Sequence, residues 1–68
     1  MATRSLGDVV REIREQQRLT QIELAERAQI GISYITTLES GRLHSVPSTI
    51  LQRLARALSV HVDKLRPT

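Results

Sequence analysis

Residues 19–41 read LTQIELAERAQIGISYITTLESG, and this segment contains two helix patterns separated by a short break. Thr20 and Glu23 have the spacing of a capping box, in which the two side chains satisfy free backbone N–H groups at the start of a helix. Leu19 and Leu24 have the spacing of a hydrophobic staple around the same start. Two independent devices therefore predict that a helix of roughly two turns begins after Thr20.

The second half of the segment predicts another short helix. Ile32, Ile35 and Leu38 recur at every third position, which is close to the helical period. Gly41 follows them, and a glycine just after a helix can adopt the left-handed conformation that ends it. We therefore expect a helix over about residues 32–40.

Two short helices joined by three or four residues form a helix-turn-helix unit, and about residues 20–40 fit this arrangement. Ala25 is small where the two helices must approach each other, and Ile30 is placed to plug the turn. A generic pair of amphipathic helices seldom needs both features in this register.

The flanking sequence predicts more helices. Apolar residues recur with helical spacing over about residues 6–17, and Ser5 with Asp8 has the form of a second capping box. Ser48 is a suitable N-cap for a fourth helix, and residues 60–65 can add a last turn. The predicted fold class is all-α.

Composition limits the kinds of protein that fit. The chain has 68 residues, a net charge of +3, no cysteine and a single aromatic residue, Tyr34. These values predict one small domain over residues 1–68 with an aliphatic core, and they exclude disulfide and cysteine–metal scaffolds. Apolar runs are too short to cross a bilayer, and no apolar signal segment is present, so we expect a cytoplasmic protein without a membrane partner.

Catalytic and metal-binding patterns are missing from the sequence. His44 and His61 have no cysteine or acidic cluster beside them, and there is no glycine-rich phosphate loop or nucleophile motif. We therefore expect no metal, no cofactor and no enzymatic activity.

Three segments resemble the Cro/repressor-like (XRE-type) helix-turn-helix family of DNA-binding domains: LTQIELAERA at residues 19–28, YITTLESGR at residues 34–42 and LARAL at residues 54–58. The resemblance extends over about residues 6–65. It implies a compact five-helix, lambda-repressor-like domain that binds double-stranded DNA, most often as a homodimer on a palindromic operator, and that regulates transcription.

Three positions depart from the family pattern. Gln29 and Ser59 stand where glycine is common, and Gly31 stands where the second helix of the unit usually has a Ser or Thr cap. A non-glycine residue held in the left-handed conformation costs about 1 to 2 kcal/mol, and glycine is a weaker cap than Ser or Thr.

The resemblance assigns roles to individual side chains. The positions that read bases are Ile32, Ser33, Thr36 and Thr37. Gln21 would clamp a backbone phosphate at the start of its helix, where free N–H groups and the helix dipole favour an anion. Further candidates for phosphate contacts are Tyr34, Arg18, Arg42 and His44. Arg14 and Glu39 are expected to form a structural ion pair near the core.

Charge is unevenly distributed, which leaves a second function class open. Residues 1–19, 20–41 and 42–68 have net charges of +1, −2 and +4, so the helix-turn-helix unit is acidic and the flanks are basic. None of the predicted base-reading residues can make the two-bond contact of arginine to guanine, so we expect modest direct readout supplemented by DNA shape. The alternative is a protein-interaction module, such as an antitoxin or targeting domain, with weak or lost DNA binding.

Overall fold

The computed structural model describes residues 4–43 and 45–65, which form helices and the turns between them, with no β-strand among these residues. The four α-helices are α1 (Leu6–Gln16), α2 (Gln21–Ala28), α3 (Ile32–Glu39) and α4 (Ser48–Ala57). A single turn of 3₁₀ helix follows at Val62–Leu65. The all-α prediction is confirmed, whereas the expected fifth helix is only this short turn.

Both predicted capping boxes are present. At the start of α1 the Ser5 hydroxyl accepts from the Asp8 amide at 3.1 Å, and the Asp8 carboxylate accepts from the Ser5 amide at 3.3 Å. At the start of α2 the corresponding bonds between Thr20 and Glu23 measure 3.0 and 2.8 Å. The hydrogen bonds from the Ser5 and Thr20 backbone amides lower the pKa of Asp8 and Glu23, respectively, below their ordinary values.

Three helices end on a non-glycine residue in the left-handed region: Arg18 after α1, Gln29 after α2 and Ser59 after α4, with φ of 59°, 57° and 57°. In each case the next amide bonds a carbonyl five residues back. These bonds are Leu19 to Arg14 at 3.1 Å, Ile30 to Ala25 at 3.0 Å and Val60 to Ala55 at 2.9 Å. They satisfy carbonyls that a helix end would otherwise leave without partners.

Two helix ends differ from the sequence prediction. Ser48 is the first residue of α4 and not its N-cap, because the Pro47 carbonyl accepts from the Ile50 and Leu51 amides at 3.0 and 3.1 Å. No side chain caps this start. At the other end of α3, Ser40 is the C-cap, and Gly41 takes the expected left-handed conformation with φ of 84°.

The core is aliphatic and draws on every helix. Its fully buried large side chains are Val10, Leu24, Ile35, Leu38, Leu54, Leu58 and Leu65. Of the residues whose structure is described, Glu39 is the buried charged one, with 4% of its surface exposed. None of the helices in the described ranges has the length and apolar character needed to cross a membrane.

Gly7 sets the distance between α1 and α3. A β-carbon added at Gly7 would lie 2.0 Å from the Leu38 carbonyl oxygen and 3.1 Å from the Glu39 α-carbon. Both atoms belong to backbone, so neither can rotate away. The absence of a side chain at Gly7 therefore lets α1 lie directly against the end of α3 and fixes where α3 points.

Candidate nucleic-acid interface

The turn between α2 and α3 is held from both sides. Gln29 is left-handed, and the next residue, Ile30, is half-buried against the core. The Arg53 guanidinium of α4 reaches back to the Gln29 carbonyl at 3.4 Å. Because the turn is tied to α4 as well as to α2, the first turn of α3 has a defined position.

One face of α3 is packed and the opposite face is open. Ile35 and Leu38 are fully buried. Ile32, Ser33, Thr36 and Thr37 lie on the other side at positions i, i+1, i+4 and i+5, which places them together on one patch of the helix. Three of them are exposed, and Thr37 is half-buried. We call these four residues the outer face of α3.

The threonine hydroxyls of the outer face are turned back onto their own helix. Thr36 Oγ1 donates to the Ile32 carbonyl at 3.0 Å, and Thr37 Oγ1 donates to the Ser33 carbonyl at 2.8 Å. Ser40 does the same beyond the face, donating to the Thr37 carbonyl at 2.6 Å. Each of these oxygens keeps lone pairs that can accept a hydrogen bond.

Ile32 is an exposed aliphatic residue on this face. It is 41% exposed, and in the described part of the chain only Ile22 of α2 is a comparably exposed large apolar residue, at 62%. The side chain of Ile32 is therefore available for contact with another molecule at little expense to the core.

Gln21 is the first residue of α2, and its amide is already oriented. Gln21 Nε2 donates to Glu39 Oε1 at 3.0 Å, and the residue is half-buried. One N–H of the amide is thus used internally and the second is left for another acceptor. The sequence predicted Gln21 at a helix start, but not this bond to α3.

The other residues predicted to contact phosphates differ in their exposure. Arg18 is exposed and precedes α2, and Arg42 is exposed just after α3. Tyr34 lies on α3 and is half-buried. His44 lies outside the described residues.

Glu39 joins three helices. Arg14 of α1 donates to its two carboxylate oxygens, with Nε to Oε2 at 2.8 Å and Nη2 to Oε1 at 2.9 Å. Arg14 also donates to the Leu19 carbonyl at 2.7 Å, next to the start of α2. Only 11% of the Arg14 side chain and 2% of the Glu39 side chain are exposed. The hydrogen-bonded pairing with Glu39 raises the pKa of Arg14, so its guanidinium stays charged.

Arg11 adds a contact that the sequence did not reveal. Its guanidinium donates to the Glu39 backbone carbonyl at 3.2 Å and pairs with Asp8 at 2.9 Å. A cation beside the last carbonyls of a helix is favourable because of the helix dipole. α1 therefore supports the end of α3 through both Arg11 and Arg14.

Charged side chains line a surface depression on α1. A shallow depression of about 460 Å³ on α1 is lined by Arg4, Asp8, Arg11, Glu12 and Glu15. Its charges are largely paired, Arg4 with Glu12 and Arg11 with Asp8. Across residues 4–43 and 45–65, no three His, Asp or Glu side chains are grouped so as to hold a metal ion.

Comparison with known proteins matches this chain to helix-turn-helix proteins. The model of a helix-turn-helix domain family matches residues 5–67. The chain is 37% identical over 62 residues to an uncharacterised HTH-type transcriptional regulator of Sinorhizobium fredii, covering 91% of this chain and 80% of that one. It is 34% identical over 61 residues to the immunity repressor protein of Bacillus phage phi105, covering 90% of this chain but only 42% of the repressor.

The fold is similar to that of a solved structure. The restriction-modification controller protein C.AhdI from Aeromonas hydrophila superposes with a TM-score of 0.84 at 30% identity, over 90% of this chain and 91% of that one. The chain therefore belongs to the helix-turn-helix domain family, in the Cro/repressor-like group that its sequence resembles.

Proposed function

We propose that this chain regulates transcription by binding specific sequences of double-stranded DNA, with α3 in the major groove. The observation that carries the proposal is the division of α3 into a fully packed face and an outer face of four small or aliphatic side chains. A single helix fits the major groove, where base edges are distinguishable. The matched relatives are named as a repressor and a transcriptional regulator, and we propose no enzymatic activity.

Phosphate contacts supply the affinity in this proposal. Gln21 lies in the first turn of α2, and its second amide N–H and the free backbone N–H groups there suit a phosphate oxygen. Arg18 and Arg42 flank the helix-turn-helix unit and are exposed. Since residues 20–41 have a net charge of −2 and the flanks are basic, the attraction to DNA comes from the flanks.

We further propose that two copies bind a palindromic operator. Half-sites would be centred about 34–36 Å apart, which is one turn of DNA. The half-buried apolar residues near α4 and the 3₁₀ turn are candidates for the surface between the copies. They are Leu43, Val60 and Val62.

The decisive experiment begins with selection of bound duplexes from a random pool, followed by a fluorescence-anisotropy salt titration on the selected site. We expect a recovered palindrome and an affinity that falls with salt, with a log–log slope of several units. Gln21→Ala should weaken binding to all sequences alike, whereas Gln52→Ala, an exposed change on α4, should leave binding unchanged.

The alternative is a protein-interaction module with weak or lost DNA binding. It is favoured by the lack of any charged side chain on the outer face of α3. If no salt-sensitive binding is found below about 100 μM at low salt, where even non-specific binders associate, the DNA-binding proposal is refuted.

A further inference from the structure

We infer that the outer face of α3 selects thymine through its 5-methyl group. This inference rests on the proposed function, because it presumes that α3 enters the major groove.

The outer face of α3 has few free hydrogen-bond donors. The Thr36 and Thr37 hydroxyl protons are both engaged by carbonyls of the preceding turn, at 3.0 and 2.8 Å. Ser33 is the remaining hydroxyl on the face and can donate one bond. Guanine presents two acceptors in the major groove and is usually selected by a two-bond donor such as arginine. The outer face has no such group, so it is poorly suited to select guanine.

The outer face of α3 also has exposed apolar groups. Because the Thr36 hydroxyl donates to its own helix and the residue is exposed, we expect its γ-methyl group to be the branch that contacts another molecule. Ile32, one turn earlier on the same side, is 41% exposed. Together Ile32 and Thr36 form a small apolar stripe along the part of α3 that faces away from the core.

The outer face of α3 is chemically complementary to base pairs that contain thymine. Among the four base pairs of DNA, only those with thymine place a methyl group in the major groove, and aliphatic side chains or threonine methyls pack against it. The Thr36 and Thr37 oxygens can at the same time accept from the amino groups of adenine or cytosine. A pattern of methyl contacts plus acceptors thus fits A·T-containing half-sites.

The test uses duplexes selected from the random pool and then remade with deoxyuridine at each thymine in turn. Uracil lacks only the methyl group. We expect about a fourfold loss of affinity at one or two positions in each half-site, the effect of one buried methyl group, and no change at the others.

Variants assign the effect to side chains. Thr36→Ser removes the γ-methyl and keeps the hydroxyl, so it should abolish the thymine-over-uracil preference at one position. Thr36→Val keeps a methyl and removes the hydroxyl, so it should retain that preference. Ile32→Ala should abolish the preference at a neighbouring position, and the matched control Ile22→Ala should affect thymine and uracil sites equally. Circular dichroism checks that each variant is folded.

The outcomes separate the two proposals. Sequence-specific, salt-dependent binding with equal affinity for thymine and uracil at every position overturns the methyl inference and leaves the proposed function standing. Absence of salt-dependent binding to any duplex overturns the proposed function and the methyl inference with it.

Discussion

Replacing Glu39 with alanine should destabilise the domain more than any change on its surface. The substitution leaves Arg14, whose side chain is 11% exposed, without its carboxylate partner. It also removes the acceptor of the Gln21 amide. Breaking a buried ion pair by removing one member costs about 3–5 kcal/mol. Since Arg14 retains its bond to the Leu19 carbonyl and some contact with water, we expect about 3 kcal/mol.

For a domain of this size, 1 kcal/mol corresponds to about 4–8 °C in Tm, so Glu39→Ala should lower Tm by about 12–24 °C. Thermal and urea unfolding followed by circular dichroism measure this directly. Glu26→Ala is the matched control, because Glu26 is exposed on α2 and the same atoms are removed. It should change the free energy of unfolding by less than about 0.5 kcal/mol.

A double variant separates the charge from the packing. Arg14→Met combined with Glu39→Leu replaces both charges with apolar groups and should be more stable than Glu39→Ala, because no unpaired charge is left behind. A loss in Glu39→Ala no larger than that in Glu26→Ala would show that the ion pair does not stabilise the fold and would refute this reasoning.

Three further predictions concern backbone and capping. Gly7→Ala should destabilise the fold by about 1–3 kcal/mol, because the added β-carbon would lie 2.0 Å from the Leu38 carbonyl oxygen. Urea unfolding measures the loss of stability, and a neutral result would contradict the close approach of α1 to α3. Gln29→Gly should stabilise by about 1 kcal/mol, since φ is 57° there; a lower Tm would argue against strain at this turn. Tm should be constant between about pH 7 and 5 and fall below about pH 4. The pKa of Asp8 and Glu23 is lowered by capping hydrogen bonds in the folded state, so their contribution is present above the unfolded pKa and lost as pH falls through the folded pKa. The Asp8→Asn/Glu23→Gln variant should show a weaker acid dependence, and an unchanged one would exclude the capping boxes as its source.

Features encoded by neighbouring residues could be predicted from the sequence. The capping box of Thr20 and Glu23 involves residues three apart, and the helical period that predicted α3 spans two turns, so both were placed correctly. The start of α4 was misplaced by one residue, because a serine before an apolar run looks like a cap whether or not its hydroxyl is used. Pro47 takes that position instead.

Contacts between residues far apart in the sequence were harder to predict. The bond from Gln21 to Glu39 joins residues 18 apart, and Gly7 lies against a carbonyl 31 residues away. A glycine inside an amphipathic helix was the available indication of close packing, but it does not say which helix approaches. The orientation of the Thr36 hydroxyl depends on a rotamer, which the sequence does not specify.

The left-handed residues at the helix ends have a consequence for how this domain can change over generations. Each α-helix is followed closely by one such residue, and only after α3 is it glycine. The backbone is therefore strained at Arg18, Gln29 and Ser59, and replacing any one of them with glycine would relieve that strain and stabilise the fold. Lineages that acquire glycine there gain a margin against destabilising replacements on the outer face of α3. Substitutions on that face can then accumulate without loss of the fold.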